Sequence, residues 1–386
     1  MADRTNRFLI IGGGVAGLST AWHLARRGEG ARTILLEADD HLASHSSAVN
    51  AAILRSVAED PLTTEMGLRS ARFLRQPPEG FTETPLVDAF GLLLVSGPDR
   101  AAQLASWVDS IDSRPAPSIE RWDAAEIQRR VPWFSADLEA AWWFPEEGRI
   151  DIGALVAGFT RGARAGGVEI RRGARAARFI EARGRIVGVQ LHSGEEILAE
   201  TCILAAGGWA GVLGAQAGSR VQLQPTRRHL MVTAPDRSVE RSRPVLWYFG
   251  SVDEGEFYCR PEAGGLLLCA CDLTAVDPER FDVDIEVRRQ IAAKASRYLP
   301  GLRDAKAAHF WCGVRTLTKD GRFAVGPDPD VEGLFWVAGL GGSGMVCSAE
   351  IGRLAAAALL EDVLEDPLAS ALDPGRLLVS TDDMNR

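Results

Sequence analysis

Lysine is scarce in this chain of 386 residues: Lys294, Lys306 and Lys319 are the only ones, so nearly all of the 43 basic residues are arginines. An arginine taken alone therefore says little about function, and most are expected to be solvated. Long apolar runs are missing as well, and none approaches the roughly 20 residues of a membrane span. After the charged opening MADRTNR, only Phe8 to Ile11 are apolar before a glycine run, too few for a signal-peptide core of about 7–15 residues. These absences point to a soluble, cytoplasmic protein. An excess of positive charge is also lacking. A net charge of −9 opposes nonspecific attraction to nucleic acid or anionic membrane, which clustered Lys and Arg drive. The six cysteines, Cys202, Cys259, Cys269, Cys271, Cys312 and Cys347, form no C-x-x-C pair and have no His at metal-ligand spacing. Buried thiols in a reducing compartment are expected, not disulfides or zinc. What remains is an ordinary globular composition, 46% hydrophobic and 25% charged, at a length that suits two interleaved domains.

The most informative stretch present is Arg7-Phe8-Leu9-Ile10-Ile11-Gly12-Gly13-Gly14-Val15-Ala16-Gly17-Leu18-Ser19-Thr20. A short apolar strand runs into G-x-G-x-x-G and then into an amphipathic helix. Gly12 permits the tight turn, Gly14 lets the backbone approach a pyrophosphate, and Gly17 lets the helix pack closely on the strand. A second strand, Thr33 to Glu37, ends in an acid twenty residues after Gly17, where a carboxylate can grip ribose hydroxyls. Together they predict a dinucleotide pocket.

A second glycine-rich junction lies near the other end. Leu334-Phe335-Trp336-Val337-Ala338-Gly339 reads as a buried strand, Leu340-Gly341-Gly342-Ser343-Gly344 as a loop, and Cys347 to Glu361 as an alanine-rich helix. A nicotinamide dehydrogenase has no obvious use for it. A flavin does: its N1–C2=O edge becomes anionic on reduction, and free N–H groups at Gly344 and Met345 would stabilise that charge.

Between these ends, the small residues of His45-Ser46-Ser47-Ala48-Val49-Asn50-Ala51-Ala52 permit close approach of a flat ring. Residues 62–143 alternate helical stretches with turn signals, at Gln76-Pro77-Pro78-Glu79-Gly80 and Arg114-Pro115-Ala116-Pro117, and read as an insertion that could build a substrate lid. A helix is expected through about Ala165, then strands at 168–171, 185–192 and 201–206. From Gln222 to Leu317 the pattern is β-rich and antiparallel-leaning, broken by one helix near Ile285 to Tyr298. The expected class is α/β plus α+β: a discontinuous nucleotide domain over 1–80, 145–225 and 318–375, an interleaved substrate domain over 81–144 and 226–317, and a tail over 376–386.

The stretches IIGGGVAGLSTAWHLA, HSSAVNAA, ILAAGGW, LQPTRRHL, FYCRPEAGGLLL, GVRTLTKDGRFAVGP and LFWVAGLGGSGM together resemble the D-amino acid oxidase superfamily of FAD-dependent amine oxidoreductases. In layout the chain is most similar to D-arginine dehydrogenase and glycine oxidase over nearly its whole length. The resemblance implies a Rossmann-like FAD-binding domain of the glutathione-reductase type and FAD bound in extended form. It implies contacts from Gly12, Gly14, Val15, Ala16, Gly17, Glu37 and Ala38 at one end, with the adenine near Ala176. Ser46, Ser47, Asn50, Ala51, Ala52, Ala206, Gly207 and Trp209 would follow, with Gly313, Gly341, Gly342, Ser343, Gly344 and Met345 around the ring. Relatives of the sarcosine oxidase kind attach flavin through a cysteine; Gly313 stands at that position here, with Cys312 one residue early, so noncovalent FAD is expected.

The resemblance also implies an arginine and a tyrosine that bind a substrate carboxylate, at Arg315 and Tyr258. Arg315 sits in an otherwise apolar strand, where an unpaired guanidinium is costly and a bidentate carboxylate satisfies it. Arg228 matches a further substrate-side arginine, although Arg227 is adjacent and alternation sends only one of them inward. Where the arginine-specific relative has polar residues, this chain has Ile53, Ala58 and Val346, which implies a more apolar pocket. The reaction implied is hydride removal from the carbon bearing the amine of an amino acid or N-substituted amino acid, with O2 or a quinone as acceptor. Oxidation of a 2-hydroxy acid, or a role as flavin-carrying electron-transfer subunit, are the alternatives. His45 and His229 have no assigned role.

Overall fold

The structure, a computed structural model, describes residues 6–111, 117–360 and 366–378. The first five residues, most of the turn Arg114 to Pro117, Glu361 and the tail from 379 lie outside the described residues. The strand Asn6–Ile11 sits near the middle of an eight-stranded sheet, buried along its last four residues. It pairs in parallel with Thr33–Leu36 on one side and with Glu196–Leu204 on the other. The strand Leu334–Ala338 joins Glu196–Leu204 in parallel, so the second glycine loop leaves the same end of the same sheet as the first. That shared edge, built from segments more than 300 residues apart in sequence, brings the two junctions together. A hairpin of Ala176–Ala182 and Arg185–Leu191 closes the far side; the sequence reading missed its first strand.

The helix Val15–Arg26 is covered by Ile152–Ala165 and Ser348–Leu360. Trp22 meets Phe73, Phe81 and Phe159 edge-on, with ring centroids 5.4–5.6 Å apart, a separation at which aromatic edges and faces attract. Close packing is possible because Gly158 and Gly162 face Phe81 and Trp22, which a Cβ would strike at 2.4 Å.

The second sheet has nine strands. Gln224–Thr233 and Ala307–Leu317 form a long antiparallel pair, continued by Gly265–Cys269, Glu256–Glu262 and Val245–Phe249. Leu92–Ser96, Ala140–Phe144 and Glu120–Asp123 extend it. The 62–143 region has the expected helical stretches, at Pro61–Arg75, Pro98–Asp109 and Ala124–Arg130, but between them it carries strands that the sequence reading missed. Leu92–Ser96 is buried on both faces, so it lacks the alternation by which a half-buried strand is recognised. The cysteines also differ from expectation: four are buried, but Cys271 and Cys312 are half-buried, and all six are free. Among the described residues no helix is long and apolar enough to cross a membrane.

Candidate active site

One cavity of about 1050 Å³ runs along the sheet edge from the first glycine loop to the second and continues beneath the nine-stranded sheet. Every residue expected to contact cofactor or substrate lines it except Gly17. Gly17 lies inside the helix, where a Cβ would stand 2.0 Å from the Gly12 carbonyl oxygen. Its part is the close approach of helix to turn, not contact with a ligand. The expected lid is also absent: among the described residues, none between 64 and 173 lines the cavity. That region contributes strands behind the site.

Strand pairing places the substrate-side residues. Tyr258 stands opposite Trp247 on one neighbour and Cys269 on the other, while Arg228 stands opposite Gly313. Arg228 lines the cavity, whereas Arg227 turns to the other face and pairs with Asp284 at 2.7 Å. The same alternation sends Cys312 away from the cavity beside its register partner His229, so no thiol stands at the Gly313 position. His229 is fully buried, with Nδ1 2.7 Å from Asp272. Burial opposes the charged ring, while Asp272 and Cys312 together draw its pKa up to about 9, but the Asp284 N–H donates to Nε2, which is compatible only with an unprotonated nitrogen. The ring is a neutral structural link. His45 lines the cavity with Nε2 2.9 Å from Asp39.

Three polar side chains in this part of the cavity have unpaired polar atoms among the described residues. The Tyr258 hydroxyl is buried without a hydrogen bond, and burial pushes its pKa well up. Arg228 makes one contact, to the Cys269 sulfur at 3.9 Å, and its Nε is buried and unpaired. Arg315 has no hydrogen-bond or ion-pair partner among the described residues; burial and the Arg228 charge push its pKa down. Two guanidiniums and a phenol thus line one cavity with no acid hydrogen-bonded to them among the described residues, and buried cations left in that state attract an anion.

A family model for FAD-dependent oxidoreductases, DAO, matches residues 7–358. The chain belongs to that family. This FAD-dependent oxidoreductase is 25% identical to the glycine oxidase of Geobacillus kaustophilus, over 90% of this chain and 91% of that one. It is also 25% identical to 4-methylaminobutanoate oxidase (formaldehyde-forming) of Paenarthrobacter nicotinovorans over 90% of its own length, but it spans only 43% of that relative. Among solved structures, L-proline dehydrogenase from P. horikoshii superposes with a TM-score of 0.84 at 20% identity, covering 96% of this chain and 97% of the other. That likeness establishes the mixed-sheet α/β fold.

The residues present fit FAD. At the first glycine loop the N–H groups of Gly14 and Ala16 have no hydrogen-bond partner among the described residues, and at the second those of Gly344 and Met345 have none. Such free donors at a turn or helix start attract anionic oxygens. Ser47 accepts from Val15 N–H at 3.0 Å, leaving its hydroxyl proton available. The segment between the loops is held in an unusual shape. Ala52 has φ +53°, its N–H donates to Asn50 Oδ1 at 2.8 Å, and the neighbouring Ala51 carbonyl accepts from Arg260 Nε at 2.6 Å. A left-handed alanine is strained and persists only where its surroundings fix it. Sequence reading missed Arg260, which lies two residues beyond Tyr258 on the same strand face.

Glu37 lies on the cavity wall, with Oε2 accepting from Gly13 N–H at 2.9 Å and Oε1 from Asp39 N–H at 3.0 Å. It braces the glycine loop from the cavity wall where a ribose contact is expected. Each charge-assisted bond contributes roughly 1.5–3 kcal/mol, so Glu37→Ala should weaken FAD binding more than tenfold by equilibrium titration. Unchanged affinity would show that neither role matters.

The pocket is also less apolar than expected. Ile53, Ala58 and Val346 line it, but so do Arg55, Glu59 and Glu256. Period-2 alternation from Tyr258 would have found Glu256. The Arg55 to Ala58 wall rests on Glu147, whose carboxylate accepts from Ser56 N–H at 3.0 Å and from the Ser56 hydroxyl. Burial pushes the Glu147 pKa up to about 7. The folded state thus holds the proton more tightly than the unfolded chain, so stability present at low pH is lost as pH rises from about 4.3 towards 7 and is flat above. Glu147→Gln keeps the acceptor and removes the charge. It should melt higher than the parent at pH 8, by on the order of 3 kcal/mol, and match it at pH 4; a pH-independent difference in melting would contradict this.

Proposed function

We propose that this enzyme oxidises the C–N bond of an amino acid or N-substituted amino acid, giving an imine that water hydrolyses. The observation that carries the reading is the convergence of Arg228, Arg315 and Tyr258 on one cavity with no protein acid to satisfy them. The names of two relatives, glycine oxidase and 4-methylaminobutanoate oxidase, describe oxidases of carboxylate-bearing amines and support it. The two glycine junctions would hold FAD, as in Rossmann domains of the glutathione-reductase type, and when bound it would supply the hydride acceptor. The protein's own residues position: Arg315 and Arg228 fork the carboxylate, Tyr258 donates to it, and Ile53, Ala58 and Val346 exclude water beside the reacting carbon. A neutral amine releases hydride without a side-chain base. O2 or a quinone reoxidises the enzyme.

One feature favours a second reading. Glu256 is a cavity carboxylate with one oxygen accepting from Trp247 Nε1 at 2.9 Å, and oxidation of a 2-hydroxy acid needs a base. An anaerobic screen of flavin bleaching with D-, L- and N-substituted amino acids and the matching 2-hydroxy acids separates the two. Amino acids should bleach, and arginine or lysine should be slow because Arg55 repels a distal cation. Bleaching by hydroxy acids alone would establish the second reading.

A further inference from the structure

We infer that the substrate carries a second carboxylate, held by Arg55, so that the enzyme's substrate class is an aminodicarboxylic or N-(carboxyalkyl) amino acid. The inference rests on the proposed amine oxidation and deepens it. Arg55 lies on the cavity wall with its guanidinium 4.4 Å over the Trp247 ring, and the Tyr258 ring also packs against Trp247, centroids 4.4 Å apart. Trp247 thus touches both Tyr258 and a further cavity guanidinium. The Arg55 side chain is only 11% exposed. Its Nε donates to the Val57 carbonyl at 2.9 Å and its Nη2 to Glu59 at 2.6 Å, while Nη1 has no partner among the described residues.

The charge balance points the same way. Glu59 is matched by Arg55, and Lys294, which donates to the Glu256 backbone carbonyl at 2.7 Å, stands near enough to the Glu256 carboxylate to feel its charge. Asp60 pairs with Arg322, and Asp320 with Arg376. On the substrate side Arg228 and Arg315 have no carboxylate partner among the described residues, one cation more than a single carboxylate neutralises. Glu59 is 55% exposed, so its loss from Arg55 to solvent costs little. A purely aliphatic substrate end would instead desolvate the Arg55 Nη1 donors without pairing them, and a cationic end would be repelled.

Unreactive ligands that differ only in charge test this on the FAD-loaded enzyme, read by perturbation of the flavin absorbance. Succinate and glutarate should bind at least about tenfold more tightly than succinamate and glutaramate, the gain of one charge-assisted contact. Arg55→Gln should bring the two series together, and Arg55→Lys should restore part of the preference. Glu59→Gln, which removes the competitor and leaves Arg55 in place, should tighten dicarboxylates several-fold. Equal affinity of the two series in the parent, or a preference that survives Arg55→Gln, would overturn the inference while leaving the amine-oxidation reading intact. Arg315→Ala should weaken both series; if it weakens neither, the carboxylate site itself is misplaced and both readings fall together.

Discussion

Arg315→Ala is expected to leave FAD bound and to abolish reduction of the flavin by substrate. Arg315 has no partner among the described residues, so its removal strands no protein carboxylate and should not unfold the strand. What disappears is the bidentate partner of the substrate and with it the alignment of the reacting C–H bond. A contact to a buried charge contributes about 2–5 kcal/mol, and misalignment adds to that, so loss of at least about a thousandfold in the reduction rate is expected. Arg315→Lys should recover little, because an ammonium cannot reproduce the planar fork. Stopped-flow reduction of the holoenzyme decides it. Parent-like rates in the alanine variant would remove the carboxylate clamp, and loss of FAD would make Arg315 structural.

Gly12→Ala should eliminate FAD binding. Gly12 has φ +115°, and a Cβ there would stand 2.4 Å from the Ala205 carbonyl oxygen. Because that oxygen belongs to the adjoining segment of the same sheet, the clash can be relieved only by displacing the turn that presents the free N–H groups. Gly28 provides the control. Its φ of +85° is equally unsuited to alanine, but nothing lies within 4 Å. Gly28→Ala should therefore cost only about 1 kcal/mol of conformational strain and retain the yellow colour. If both variants bound FAD equally, close approach at Gly12 would not be what shapes the site.

The parts of the molecule that were legible in the sequence are those fixed by local chemistry. A strand, a glycine turn and a helix follow one another at 6–26, and the strand and glycine loop at 334–344 show the same local logic. Arg315 stands out because a lone guanidinium in an apolar strand needs a reason. What was not legible depends on partners distant in the chain. Leu92–Ser96 becomes a strand by pairing in parallel with Val245–Phe249, some 150 residues away, and its continuous apolar run gives no period. Arg227 and Arg228 are indistinguishable until Asp284 takes one of them. Arg55 sits in a short irregular segment whose direction is set by Trp247 and Glu59. For that reason the pocket read as apolar from Ile53, Ala58 and Val346, although its far wall is charged.

The most direct test of the account is a product balance after anaerobic mixing of the purified enzyme with its best amino acid substrate. Reduced flavin, released amine or ammonia, and the carbonyl product should appear in equimolar amounts, as hydrolysis of an imine requires. Flavin reduction without release of nitrogen, or reduction by a 2-hydroxy acid when no amino acid reduces it, would contradict C–N bond oxidation.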